Sequence, residues 1–240
     1  KSIKTYVNEF ALSDVAASLL LCKVPNPSSF GIAELENEKI IKIVEKPKEP
    51  KSDLAVTGIY FLTPLIFEVI ANLKPSWRNE LEITDALHQM LEKNEKITYH
   101  MITDYWKDTG TPEDVLHANQ EILEKIEGSF EGSNDENSKI SNKSIIGKGT
   151  SIKGNSIISD SVIIGENCII KDANIESYSS LGNGTIVTSA RIRNSIIMEN
   201  CKIEGKLTIK DSIIAKNSTI NSKNNNEKIF LLGEGTQITL

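Results

Sequence analysis

An α/β layer followed by a parallel β-helix is the fold this chain predicts, and two observations predict it. From Ile140 onward an apolar residue returns every sixth position, at Ile140, Ile146, Ile152, Ile158, Ile164 and Ile170. A helix repeats every ~3.6 residues and a half-buried strand every ~2, so neither sustains that beat. Short strands joined by tight corners do, and hexapeptide periodicity is the mark of a parallel β-helix. The second observation is that the residues before the beat alternate between strand-like apolar runs and helical spacing, which is the signature of a mixed layer.

Taken in order, residues 2–11 read as the tail of a helix. Strand patterns follow at 17–24, 30–35, 39–44, 55–62 and 97–102, and helical spacing at 65–73, 83–93 and 112–126. Thr84 and Asp85 read as the opening of the second of these helices. Thr111-Pro112-Glu113-Asp114 opens the third with a cap residue, then proline in the first turn. The stretch 127–139 (EGSFEGSNDENSK) is polar, rich in Gly, Ser and Asn, and reads as a linker. The expected domains are therefore 1–126, a linker over 127–139, and the coil over 140–240.

Within the coil a slim side chain stands four residues after each leading isoleucine: Ser144, Thr150, Ser156, Val162, Cys168 and Asn174. Gly or Asn recurs three residues after it, at Gly149, Asn155, Asn167, Gly184, Asn200, Asn217 and Gly235. Both types tolerate the positive φ that a corner demands. After Ile170 some repeats lose a residue, giving Ile175, Leu181, Val187, Ile192, Ile197, Ile203, Ile209, Ile214 and Ile220, with an echo at Leu232 and Ile238.

Composition narrows the function. A net charge of −6 argues against a general nucleic-acid partner. No apolar run approaches the ~18 residues a membrane span needs. Cysteines Cys22, Cys168 and Cys201 are sparse and odd in number, as expected of reduced thiols in a cytoplasmic protein. The chain opens at Lys1 without Met, and its first half has few strands for a doubly wound sheet. A piece of a longer protein is expected, with its N-terminal portion outside this sequence.

Five stretches then fall in one order: Phe30-Gly31-Ile32-Ala33-Glu34, Glu45-Lys46-Pro47-Lys48-Glu49-Pro50, Val56-Thr57-Gly58-Ile59-Tyr60, the run Lys74 to Asp85, and Trp106-Lys107-Asp108-Thr109-Gly110-Thr111-Pro112. Together with the hexapeptide tail they resemble the sugar-1-phosphate nucleotidylyltransferases, and most of all the long form of glucose-1-phosphate thymidylyltransferase. The resemblance implies the C-terminal part of a Rossmann-like nucleotidyltransferase domain joined to a left-handed β-helix. It implies attack by a sugar-1-phosphate oxygen, that of glucose 1-phosphate, on the α-phosphate of a nucleoside triphosphate, dTTP, with loss of pyrophosphate. It also implies Mg²⁺ as cofactor and a cytoplasmic homo-oligomer with neither nucleic acid nor membrane as partner.

The same resemblance assigns residues. Asp108 is the metal ligand of the Trp-x-Asp-Thr-Gly motif. Gly31 lets the sugar approach bare backbone, Glu45 accepts sugar hydroxyls, Lys46 faces the sugar phosphate, and Thr57 and Gly58 line the pocket. Arg78 is either a phosphate contact or a surface ion pair. The family's second metal aspartate and its Gly-rich nucleotide loop precede the stretch where this chain begins, so no complete catalytic set is expected here and the piece alone is expected to be inactive. Read by themselves, the residues around Lys46 make a solvated loop, and Asp108 could cap the next helix, although Thr111 is better placed.

Two further expectations concern the coil. Left-handed β-helices also occur in acyltransferases, which generally use a histidine of the coil as base. Here His88, His100 and His117 all precede residue 127, so a structural tail is favoured over an amino-sugar acetyltransferase. A purely structural, oligomerising piece is the third reading. Finally, Cys168 and Cys201 lie two full turns apart in the same slot of the repeat. At ~4.8 Å per rung their Cα atoms are roughly 9–10 Å apart. That is beyond the ~7 Å limit for a disulfide, so both thiols are expected to be free, inward, and separated by one side chain.

Overall fold

The computed structural model describes residues 2–223 and 226–240. It divides into two compact units, Lys1–Trp106 and Lys107–Leu240.

The first unit is a mixed five-stranded sheet with helices. Strands β1 (Ala17–Lys23), β2 (Gly31–Glu36), β3 (Lys39–Glu45), β4 (Leu54–Leu62) and β5 (Ile97–Met101) stand in the order β3-β2-β4-β1-β5. β1 runs antiparallel to β4 and parallel to β5. β2 and β3 form a hairpin whose two turn residues, Asn37 and Glu38, both have positive φ, the twist-matched turn of a tight hairpin. Helices α1 (Ile3–Ala11), α2 (Leu65–Ile70) and α3 (Ile83–Glu92) complete the unit. Ala86, Leu87 and Met90 of α3 share one core with Leu19, Leu21, Ala33 and Ile43 of the sheet. A smaller cluster of Val24, Ile32 and Ala55 takes in Phe30 and Trp106, whose rings meet edge-on at 5.8 Å. The expected elements appear within a few residues of their predicted bounds, because each carries its own apolar period.

The second unit is a parallel β-helix with three sheets, of seven, six and seven strands among the described residues, consistent with the left-handed form. Each leading residue stacks on its counterpart one turn away, as in Ile152, Ile170, Val187, Ile203 and Ile220. These side chains are fully buried. The corners at Gly149, Asn167, Gly184, Asn200, Asn217 and Gly235 take positive φ as expected, but at the corner after Ile152 the positive φ belongs to Gly154 and not Asn155. Asn174 is also displaced from its expected slot. The buried slim residue there is Ala173, and Asn174 faces outward, paired with Ile157 and Arg191. Where a repeat loses a residue, the corner shortens. The pleat fixes the inward residue two positions before the next leading residue, not four after the last.

Cys168 and Cys201 are free and buried. The strands they open, at Ile169 and Lys202, are separated by the strand of Ile186, so Thr185 lies between the cysteines. Each thiol donates to a carbonyl one turn on, Cys168 to Gly182 and Cys201 to Ala215, both at 3.2 Å. Burial pushes both thiol pKa values up, so neither is a reactive thiolate.

The expected linker over 127–139 is corrected. Ser129–Phe130, Ser133–Asn134 and Lys139–Ile140 are already strands of the coil, pairing with the rungs of Ile146, Ile152 and Ile158. A first rung stacks on one side only and needs no isoleucine at every inward slot, which is why its sequence reads as polar. By its packing, helix α4 (Pro112–Leu123) falls in the same compact unit as the coil.

Candidate functional site

Gly31 opens β2 directly across from Glu45, the last residue of β3. The Glu45 carboxylate is mostly buried and doubly engaged. Thr84 Oγ1 donates to its Oε2 at 2.9 Å, and Arg78 Nη1 lies 3.7 Å from its Oε1. Arg78 also pairs with Glu80 at 3.0 Å and with Glu82 at 3.1 Å, and Ser76 Oγ donates to Glu82 Oε1 at 3.2 Å. A side chain at Gly31 would meet this group, since its Cβ would stand 2.5 Å from Thr84 Cγ2 and 3.0 Å from Glu45 Oε2. The structure thus brings Gly31, Glu45 and Arg78 together and adds Thr84 and Glu82.

Carboxylates outnumber the cation here. Burial, and then the charge of Glu82, push the Asp85 carboxyl pKa up. Burial, and then the charge of Glu45, push the Tyr60 phenol up. Such a field favours neutral hydroxyl donors and disfavours a bound phosphate.

Lys46 stands beside the carboxylates with φ of +42°, its amide donating to Phe30 O at 3.0 Å. A left-handed non-glycine residue at a strand end is uncommon, and this one turns the chain out of the sheet immediately after Glu45. None of the ion pairs above uses its ammonium. Thr57 and Gly58 sit at a bulge where β4 slips register against β1 between Leu19 and Leu21. Thr57 Oγ1 donates to Leu20 O at 2.9 Å, and Gly58 is exposed with φ of +79°. Bulges of this kind re-aim side chains and expose backbone.

Asp108 lies in the second unit, four residues before α4. Thr111 is the cap of α4, its Oγ1 accepting from Asp114 N at 3.2 Å and donating to Asp114 Oδ2 at 2.7 Å. Lys107 Nζ pairs with the other oxygen of Asp114 at 2.7 Å. Lys107 first, and then Thr111, hold the Asp114 carboxyl below the ordinary carboxylate range. Asp108 is exposed and takes no part in the cap. Gly110 leaves room beside it, because a Cβ there would come 3.2 Å from Asp108 Oδ2. Among the described residues no cluster of His, Cys, Asp and Glu could hold a metal unaided. One uncrowded carboxylate does fit Mg²⁺ of the kind completed by water and phosphate oxygens.

Thr84 was expected to open α3 as a cap. It is instead the second residue of that helix, which starts at Ile83 after Glu82 with no side-chain cap, and its hydroxyl is spent on Glu45. No local pattern marks a bond spanning 39 positions. The sequence offers only a threonine followed by an acidic residue, Thr84-Asp85, which reads equally well as a helix start.

The mixed sheet with its acidic corner, followed by a hexapeptide coil, has the architecture that the resemblance to nucleotidylyltransferases implies. Residues 2–125 match the family model described as Nucleotidyl transferase, and residues 169–239 match that described as GMPPB C-terminal domain. The first match takes in more than half of the chain, which belongs to the nucleotidyl transferase family. The chain is 39% identical over 169 residues to a glucose-1-phosphate thymidylyltransferase of Streptomyces antibioticus, covering 70% of this chain and 47% of the relative. It is 40% identical over 141 residues to the bifunctional protein GlmU of Methanococcus aeolicus, covering 58% and 34%. A crystal structure of a putative glucose-1-phosphate thymidylyltransferase from Bacillus anthracis, in complex with a sucrose, is similar at 43% identity, TM-score 0.47, with 54% of this chain and 51% of the other covered. The chain spans about half the length of the Streptomyces relatives it matches.

Proposed function

We propose that this chain supplies the sugar-binding half and one metal ligand of an enzyme that joins glucose 1-phosphate to dTTP, giving a nucleotide sugar and pyrophosphate. The observation that carries the reading is the group formed by Gly31, Glu45, Thr84 and Arg78. Thr84 and Arg78 orient the Glu45 carboxylate, and its remaining lone pairs accept sugar hydroxyls over the bare backbone of Gly31. Arg78 is shared among carboxylates, so it braces Glu45 and Glu82, and Lys46 is the cation offered to the sugar phosphate. In this reading Thr57 and Gly58, at the bulge of β4, also line the sugar pocket. The sugar-phosphate oxygen attacks the α-phosphorus while the bond to pyrophosphate breaks, and catalysis consists of positioning and charge neutralisation. Mg²⁺, bound through Asp108, would offset charge on the phosphoryl oxygens.

The same reading makes the enzyme a cytoplasmic homo-oligomer. Among the described residues no helix is long and apolar enough to cross a membrane. The test is pyrophosphate release from dTTP and glucose 1-phosphate, by this chain and by a longer one that adds a preceding nucleotide-binding segment. Turnover should require the added segment, and a longer chain without turnover would refute the proposal.

Glu45→Ala and Lys46→Ala in the longer enzyme should each weaken sugar-1-phosphate binding by about tenfold or more, as expected when a charge-assisted contact is lost. Nucleotide affinity should change little. Calorimetry showing equal losses for both ligands would return these residues to a solvated loop.

Acetyl transfer is not expected. Residues 140–240 contain no histidine, and the buried thiols of the coil are poor bases at neutral pH. Incubation with acetyl-CoA and glucosamine 1-phosphate should release thiol no faster than acetyl-CoA alone, and release that depends on the amino sugar would establish the second activity.

A further inference from the structure

The outward face of one coil sheet carries an apolar column at Ile145, Ile163, Ile196 and Ile213, interrupted by Ser180. The interruption is where α4 is fastened. Ser180 Oγ donates to Asn119 Oδ1 at 2.6 Å, and Asn119 Nδ2 donates to Tyr178 O at 2.9 Å. One residue along, Gln120 Nε2 donates to Asn194 Oδ1 at 2.7 Å, and Asn194 is itself held by Asp211 at 2.6 Å. Tyr178 OH reaches Glu124 Oε1 at 3.0 Å.

This seam is built at a cost. Tyr178 has φ of +65°, a conformation that a bulky side chain adopts only where its surroundings enforce it. The coil asks for positive φ at this corner, and the equivalent positions meet it with the smaller Ser161, Asn194 and Asp211, so the choice of a bulky residue here is what the coil alone does not require. Nor does α4 belong to the coil's core, which is continuous without it. Directional bonds on both the amide oxygen and the amide nitrogen of Asn119 fix where the helix sits along the coil and how it is rotated, which apolar burial alone does not.

The other end of α4 carries Asp108. Thr111 and Asp114 close the first turn, and Asp114 also ties Lys107 back to it. Asp108 is bracketed between two residues fastened to the same turn. We propose that the coil is a positioning device for Asp108. Tyr178, Ser180 and Asn194 are positioning residues that act through α4 on the loop 107–111. The inference rests on the reading of Asp108 given above.

Two variants test it. Asn119→Ala combined with Gln120→Ala removes the amide bonds of the seam and leaves only its Tyr178–Glu124 bond, and the milder Asn119→Asp keeps the acceptor for Ser180 while losing the donor to Tyr178. In this chain, amide hydrogen exchange over residues 107–115 should quicken by about tenfold in the double variant, as loss of two local restraints implies. Exchange at Ile152, Ile170 and Ile203 should stay unchanged. In the longer enzyme the Mg²⁺ concentration for half-maximal rate should rise by about tenfold, since small misplacements of a reacting group are costly, with KM for sugar 1-phosphate unmoved. Asp108→Asn is the reference. If it leaves the Mg²⁺ dependence unmoved, the reading of Asp108 has failed. If it shifts that dependence and the seam variants do not, or if exchange over 107–115 is unchanged in both variants, the positioning inference alone is overturned.

Discussion

Asp108→Asn in the longer enzyme should lower kcat by roughly a hundredfold or more, the usual loss when a group stabilising developing charge is removed. The substitution is close to isosteric, and Asp108 has no part in the cap or the ion pair beside it. Its thermal midpoint should therefore match the parent's. The effect should be largest at low Mg²⁺, where a neutral amide competes worst against water for a hard cation. Near-parental turnover at low Mg²⁺ would show that the phosphoryl charge is met elsewhere. Asp114→Asn is the informative contrast. It should weaken the hydrogen bond donated by the Thr111 hydroxyl and the hold on Lys107, because both end on the Asp114 carboxylate, while the cap bond from the Asp114 amide remains. The contribution of that carboxylate to folding has a definite sign. Its folded pKa is depressed, so the contribution is present above the unfolded pKa and lost as pH falls through the folded one.

How far the sequence reveals this molecule depends on whether a feature repeats. The coil was legible because each rung restates the same demand: an isoleucine inside, a slim residue two before it, and a residue at the corner that accepts positive φ. The strands and helices of the first unit were legible for the same reason on a shorter period. What escaped was whatever occurs once. The first rung looked like a linker because it stacks on one neighbour only. The placement of Ala173 over Asn174 depended on which end of a shortened repeat keeps register. The assignment of α4 to the coil rests on single bonds from Asn119, Gln120 and Glu124, and no spacing announces them. At the site, Gly31, Glu45 and Arg78 came from motif resemblance and prove to be neighbours. Thr84, which joins them, reads from the sequence as a cap.

Gly31→Ala should be the more damaging of two superficially equal changes at the sugar corner. The new methyl would stand 2.5 Å from Thr84 Cγ2, closer than side chains tolerate, and 3.0 Å from Glu45 Oε2. Thr84 cannot simply swing away. It is buried, its backbone lies in the first turn of α3, and its hydroxyl is the donor that holds Glu45. Relief must come from moving the start of α3 or from releasing the carboxylate, and either one disturbs the groups that accept the sugar. Overpacking of this kind costs about 1–3 kcal/mol of stability, and sugar-1-phosphate affinity should fall by about tenfold or more as Glu45 loses its donor. Gly58→Ala makes the comparison. Nothing lies within 4 Å of its would-be Cβ, and the penalty there is only that of φ at +79°, about 1–2 kcal/mol. Both variants should lower the thermal midpoint, but only Gly31→Ala should also weaken the Tyr60 response to Glu45, visible as a phenol pKa falling back toward its ordinary value. If Gly31→Ala binds the sugar phosphate as the parent does while losing stability, the glycine serves strand packing and the sugar does not approach the backbone there.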